Sequence, residues 1–380
     1  MSFAIPPDSK IEFQLMTDTW NLIEEEYVDQ EEVHPRSMAY NAIRGMVQTL
    51  GDAGHTRFLD PEIAERHANQ IAGEFEGIGV YVEVKDGRVV IITPTDGQPA
   101  DRASLEGVEV ITEVNGQDAL QLPPSEVINH ILGPAGSEVT LTILDPDLDE
   151  TRTVTIERAE IDIDLVTWTP LPAAGVAYVR ISAFSDGVSD DLGQTLERIQ
   201  KEGVKGLILD LRSNPGGLLS EAINVSRQFL ENGKVLLTRN AERETDSISV
   251  NKRIESTKIP LVVLVNGGTA SAAEIVTGAL QDHDRGKILG TTTTGAGTVL
   301  NRFKLSDGSF LLLAVEEWLT PDGRVIWQKG LTPDLEVKLP SDVDPSFRLF
   351  KSDFSEEDIE SSEDIQLKKA MKFLMEAIRE

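Results

Sequence analysis

Apolar positions recur at helical spacing through residues 11–70, with Phe13, Met16, Trp20 and Ile23 followed by Met38, Ala42, Ile43, Met46, Val47 and Leu50. Pro35 and Gly51 interrupt the pattern, which therefore predicts a helical lead-in whose aromatic and methionine positions pack. From Gly77 to Arg158 the signal changes to short strands: YVEV at 81–84, RVVII at 88–92, VEVITEV at 108–114 and EVTLTIL at 138–144. Asp86-Gly87, Asn115-Gly116 and Pro134 with Gly136 supply the turns between them. Within this β-rich stretch PSEVINHIL at 124–132 predicts one short helix, capped by Ser125 and stopped by Gly133.

After Arg158 strands alternate with helices. VAYVRI at 176–181 precedes a helix to about Glu202, GLILDL at 206–211 precedes one ending near Leu230, and PLVVLV at 260–265 precedes one from Ala270 to Asp282. These runs of Val, Leu and Ile lack polar alternation, which is the mark of strands buried on both faces of an α/β sheet. Further strands are expected at 298–304, 310–316 and 325–328, then an acidic stretch beyond Pro340 and a final amphipathic helix from Glu363 to Arg379. The expected organisation is multidomain α/β: a helical region 1–73, a β-rich domain 74–160, an α/β core 161–345 and an acidic segment with the final helix, 346–380.

Composition narrows the function classes. A chain of 380 residues is long enough for more than one core. Its net charge of -30 argues against nucleic acid, whose binding needs Lys and Arg to displace counterions. With no cysteine, disulfides, thiolate metal sites and a Cys nucleophile are excluded together. His130 has no second histidine or acidic partner at metal-ligand spacing, and neither a cofactor nor a metal is expected. No apolar run approaches the length of a membrane span, and the first residues, MSFAIPPDSK, lack the pattern of a secretory signal.

The strongest local feature is VNGGTASAAEI at 265–275, where a buried strand ends, two glycines allow a tight turn, and Ser271 opens a helix. A serine there can be an exposed nucleophile, with the helix N-terminus offering unpaired N–H groups to an oxyanion. Taken alone, the segment describes a capping serine, far commoner than a catalytic one, with Glu274 three residues on completing a capping box. The second feature, LDLRSNPGGLL at 209–219, again runs from a buried strand through glycines into a helix and can present a backbone N–H beside Ser271. It lacks the G-x-G-x-x-G spacing of a dinucleotide site.

In this order, and downstream of a β-rich domain, these loops resemble the C-terminal processing peptidases, or tail-specific proteases, a family of serine peptidases with a PDZ domain. GDAGHTRFLDP at 51–61, EFEGIGVYVEV at 74–84, NGGTASAAEIVTGALQDHDR at 266–285, LSDGS at 305–309, LTPDGR at 319–324 and GLTPD at 330–334 carry the rest of the resemblance, which covers most of the chain. It implies a crotonase-like spiral α/β core and a serine endopeptidase that recognises unstructured protein C-termini. It makes Ser271 the nucleophile, and assigns the oxyanion hole to the N–H of Ala272 with that of Gly217, or less readily Gly216. Gly77, Ile78, Gly79 and Val80 become the loop that receives a chain-terminal carboxylate while the peptide adds as a strand. Ser104 and Val108 stand where glycines are usual, so the turn before VITEV is expected to differ.

The family's base is a lysine in a G-K-G-x-x-Q segment, kept unprotonated by burial. Here that segment is GAGTVL, with Ala296 at the lysine position and Leu300 at the glutamine position. His283, twelve residues along the helix, lies about 18 Å from Ser271 at ~1.5 Å per residue, outside hydrogen-bond reach. Lys304 is roughly 26 Å from Ala296 along an extended strand at ~3.3 Å per residue. The sequence does not place His55. Two functions are therefore carried forward: a serine endopeptidase, and a catalytically silent or base-deleted relative that binds peptides as an adaptor. The resemblance implies a location outside the cytoplasm, and assembly into an oligomer is left open.

Overall fold

The computed structural model describes residues 9–52, 55–73, 75–85, 87–95, 97–105, 109–122, 124–146, 150–161, 164–171, 175–250, 256–340, 343 and 361–379. Val108, the Asp86 end of the Asp86-Gly87 turn and most of the acidic stretch lie outside them. The chain forms two compact units, residues 1–61 with 301–313 and residues 62–300 with 314–380.

In the first unit the expected helices are Lys10–Glu26 and Pro35–Gln48. Pro35 sits in the first turn of the second, where a missing N–H costs nothing. A strand Arg57–Leu59 pairs antiparallel with Phe310–Leu312. Tyr40 packs its ring 4.9 Å from that of Phe58 and donates its hydroxyl to Asp307 at 2.7 Å. The expectation that the lead-in buries its apolar positions fails for both helices, neither of which has a buried side chain, and Phe13, Met16, Met46 and Leu50 are exposed. Periodicity creates an apolar face but does not supply a partner for it.

In the second unit a sheet of order Val166–Leu171, Val176–Ile181, Gly206–Asp210, Leu261–Val265, Lys287–Gly290 and Leu335–Glu336 forms the centre. The first pair is antiparallel and the rest are parallel. The middle strands are buried throughout because both faces are covered. Ala177, Val179, Leu207, Leu209 and Val263 face the helices Val188–Lys201, Leu219–Phe229 and Ala272–Asp282. Tyr178, Ile208, Val262 and Leu264 face Leu367, Ala370, Met371 and Leu374 of the final helix, Ile365–Arg379.

The β-rich stretch has its own core, built around Ile78, Ile91, Ile111, Leu141, Ile143 and Ile156. Its sheet runs in the order Val80–Lys85, Arg88–Pro94, Glu109–Val114, Glu138–Asp145 and Glu150–Glu157, all antiparallel. The helix Pro124–Ile131 begins at the proline, so Ser125 is inside the helix and is not its cap. Ser104 adopts φ +57°, the left-handed conformation that glycine favours. The expected strand at 325–328 is instead a turn with a single bridge from Val325 to Leu319. Strands at Val166–Leu171, Lys234–Arg239, Thr245–Ser249 and Lys287–Gly290 were not expected, because each mixes polar and apolar residues over a short run.

Candidate active site

Strand Leu261–Val265 ends at Asn266, and the chain reverses through Gly267 and Gly268 to reach Ser271 at the head of helix Ala272–Asp282. Asn266 holds this reversal: its Oδ1 accepts from Ser213 N–H at 2.7 Å and Gly268 N–H at 3.0 Å. Ser271 has φ +53° and ψ −118°, far from the extended backbone of an ordinary N-cap. A non-glycine residue in such a conformation stores strain that the surroundings must impose. Thr269 does not cap the helix: its hydroxyl accepts from Asn266 N–H at 3.0 Å and donates to Leu211 O at 2.8 Å.

Glu274 imposes part of that geometry. Fully buried, it accepts from Ser271 N–H at 3.0 Å and Ala296 N–H at 2.8 Å through Oε2. Through Oε1 it accepts from Gly295 N–H at 2.8 Å and from the Thr293 hydroxyl. Burial holds its carboxyl above the ordinary value, although all four donors pull the other way. The Ser271 turn and segment 293–296 are thus joined through one side chain.

Ala296 is buried and flanked by glycines that cannot carry side chains. A Cβ on Gly295 would lie 2.8 Å from Gly330 N, and one on Gly297 2.4 Å from Trp327 N. The segments LTPDGR and GLTPD strap the far end of the same helix. Asp282 accepts from Asp322 N–H at 2.8 Å and pairs with Arg324, and Gln281 donates to Thr332 O at 3.0 Å.

The loop after strand Gly206–Asp210 meets the serine turn directly. Gly216, at φ +93°, has no room for a Cβ, which would fall 2.6 Å from Ser271 Cβ and 2.8 Å from Ala272 N. Asn214 ties the loop down, accepting from Gly216 N–H at 2.8 Å, donating to Ile181 O at 2.7 Å, and receiving Ala270 N–H on its carbonyl at 2.9 Å. The Gly216 N–H is therefore occupied. Gly217 bridges Phe184, but the bonds run from Phe184 N–H to Gly216 O and from Leu218 N–H to Phe184 O. Among the described residues, the N–H groups of Gly217 and Ala272 have no acceptor. His283 is engaged elsewhere, its Nε2 2.8 Å from Lys234 O. His55, in the first unit, is held in a turn with its N–H on Asp52 O at 3.1 Å.

In the β-rich part, Gly77 ends a short strand paired with Ala159–Ile161, Ile78 buries its side chain in the local core, and Val80 opens the strand Val80–Lys85. Among the described residues the N–H groups of Ile78 and Gly79 have no acceptor, and Val80–Lys85 is an edge strand, hydrogen-bonded on one side only. Gly79 has φ +73°, and a Cβ there would meet Gln98 Cβ at 2.5 Å.

Residues 175–337 match the profile of peptidase family S41. Over 335 residues the chain is 34% identical to the carboxy-terminal processing protease CtpA of Bacillus subtilis, covering 88% of this chain and 70% of the relative. The chain belongs to peptidase family S41, the C-terminal processing serine proteases. It is also 32% identical over 340 residues to a CtpA-like serine protease of Staphylococcus aureus, covering 88% and 67% of the two chains. The solved photosystem II D1 C-terminal processing protease superposes with a TM-score of 0.62 at 31% identity, covering 92% of this chain and 98% of that one. No helix among the described residues is long and apolar enough to cross a membrane.

Three residues of this candidate site were not singled out from the sequence: Asn214, Asn266 and Thr293. Each is a polar residue beside a glycine or threonine turn, a pattern common to ordinary loops. Glu274 was legible as a cap, but nothing in the sequence signalled its bonds to segment 293–296.

Proposed function

We propose that this chain is a C-terminal processing peptidase with Ser271 as nucleophile and the N–H groups of Gly217 and Ala272 as oxyanion donors, slowed by the absence of a base at Ala296. The observation that carries this reading is the strained Ser271 backbone standing beside two N–H groups without acceptors. Ser271 Oγ adds to the scissile carbonyl, the negative oxygen falls between the two N–H groups, and expulsion of the amine leaves an acyl ester on Ser271. The Oγ proton has no side-chain acceptor at Ala296 and passes to water, water returns a proton to the departing amine, and a second water hydrolyses the ester to release the carboxylate and restore Ser271. General-base assistance is worth about 10²–10⁴-fold, which sets the scale of the deficit. Leu300, half-buried on the next strand, offers no group to orient a base.

Substrate enters in this reading through a PDZ-like domain, residues 74–160. The N–H groups of Ile78 and Gly79 receive a terminal carboxylate, and the tail extends along the edge strand Val80–Lys85. The same surface supports a second reading, favoured by Ala296: a peptide-binding adaptor that no longer turns over. The readings part on one experiment. The purified chain is treated with a serine-directed phosphonate and mapped, and its hydrolysis of an unfolded, tailed protein is compared with Ser271→Ala. Labelling at Ser271 and hydrolysis lost in Ser271→Ala support the peptidase; tail binding without labelling selects the adaptor; hydrolysis that persists in Ser271→Ala removes Ser271 from the mechanism.

A further inference from the structure

Among the described residues the largest fully buried side chain is Arg212, and it lies in the loop that leads to Gly217. Its Nε and Nη2 engage Asp210, with Nη2 to Oδ2 at 2.6 Å, while Nη1 donates to Asp364 Oδ2 at 2.8 Å and Gln366 Oε1 at 3.0 Å. Asp364 and Gln366 stand at the head of the final helix, 152 and 154 residues away in sequence. Asp364 also accepts from Leu367 N–H at 3.0 Å, capping that helix, and Gln366 donates to Val337 O at 2.7 Å. Asp210 accepts from the Tyr178 hydroxyl, and Arg180 lies 4.0 Å from it. Burial pushes the Asp210 carboxyl up, but Arg212 and Arg180 draw it below its usual value, and Asp210 with Asp364 hold Arg212 above its own.

We infer that Asp364 is a positioning residue: through Arg212 it fixes the loop 211–217, and so the Gly217 N–H, against Ser271. The proposal rests on the oxyanion role given to Gly217 above. Arg212 is followed by Ser213 at φ +54°, Asn214, Pro215 and then Gly216 and Gly217 at φ +93° and +143°, a run whose three positive-φ positions need outside restraint to stay in place. Asn214 and Asn266 hold it on the side of the serine turn. Arg212 holds it on the other, and two of that side chain's partners come from the final helix. A buried guanidinium that loses one carboxylate either recruits another partner or moves, and either response shifts the loop. The final helix thereby covers one face of the sheet and sets a donor on the opposite side of the strand's end.

The test uses the full chain with Asp364→Asn, Asp364→Ala and, as control, Leu374→Ala, which weakens the packing of the same helix and leaves Asp364 in place. Asn retains the cap, so the Asn variant isolates the charge and carries the test if the Ala variant does not fold. Amide exchange in residues 213–218 is read by mass spectrometry, together with the rate of phosphonate capture at Ser271 and the affinity for a tail peptide. Both Asp364 variants are expected to speed exchange in that loop and to slow capture about tenfold or more, with peptide affinity held within about twofold. Leu374→Ala should lower the Tm and leave loop exchange and capture at the parent values. Asp364 variants that lower the Tm alone, with exchange and capture unchanged, overturn the proposal. If the parent chain is not captured at all, the nucleophile reading fails instead, and loop exchange still decides for or against the role of Asp364.

Discussion

Ser271 and Ala296 donate their backbone N–H groups to the same oxygen, Oε2 of Glu274, at 3.0 and 2.8 Å. Two bonds of that length to one atom keep the two nitrogens within about 6 Å of each other. The position that the resemblance gives to the base is therefore held beside Ser271, the proposed nucleophile, and in that reading the site lacks a functional group at residue 296.

Ala296→Lys should accordingly raise hydrolysis of a tailed, unfolded substrate by about 10²–10⁴-fold. Activity should fall as pH drops and the introduced amine is protonated, since only the neutral amine accepts the Oγ proton. A rate–pH profile of the variant checks both points. No gain would mean that the pocket around residue 296 cannot accept the longer side chain.

Glu274→Gln keeps the shape of the side chain but turns one acceptor oxygen into a donor that faces N–H groups. The expected cost is about 1–3 kcal/mol of stability for each buried donor left unpaired. Phosphonate capture at Ser271 should fall with it, because the strained turn loses its tie. Denaturant unfolding and labelling, measured together, test this.

A tail peptide whose terminal carboxylate is amidated should bind the chain at least about tenfold more weakly than the free acid, since charge-assisted bonds to backbone N–H groups are the stronger kind. Gly79→Ala should weaken the free acid too, because its Cβ has no room against Gln98. Fluorescence anisotropy of labelled peptides measures both. Equal affinities for acid and amide would exclude the loop at Gly77–Val80 as the carboxylate site.

Asp307 accepts from the Tyr40 hydroxyl and from the N–H and hydroxyl of Ser309, and these bonds, the Ser309 hydroxyl foremost, hold its carboxyl at about 2. A folded-state value below the ordinary 3.8 contributes stability that is present above 3.8 and lost as pH falls through about 2. Asp307→Asn should therefore lower the urea midpoint at neutral pH, with the gap to the parent closing toward pH 2. A gap that stays constant with pH would show that the charge contributes nothing.

Much of this was legible in the chain itself. The three apolar runs at 176–181, 206–211 and 260–265 suggested strands buried on both faces, and the glycine turns that follow two of them marked where backbone N–H groups could be exposed. The short strands at 166–171, 234–239 and 287–290 were not legible, because each mixes polar and apolar residues over a short run and is fixed by pairing with another strand. The choice between Gly216 and Gly217 also had to wait, since it turns on whether Asn214 Oδ1 reaches one N–H and leaves the other free.

Ser271 at a glycine turn before a helix, and Ala296 between two glycines, follow from the sequence alone, because turn and cap preferences act over a few residues. Their adjacency does not. Glu274 reaches across to segment 293–296, and Arg212 reaches a carboxylate 152 residues away. Buried charges find partners wherever the fold brings them, so these links were decided by tertiary packing.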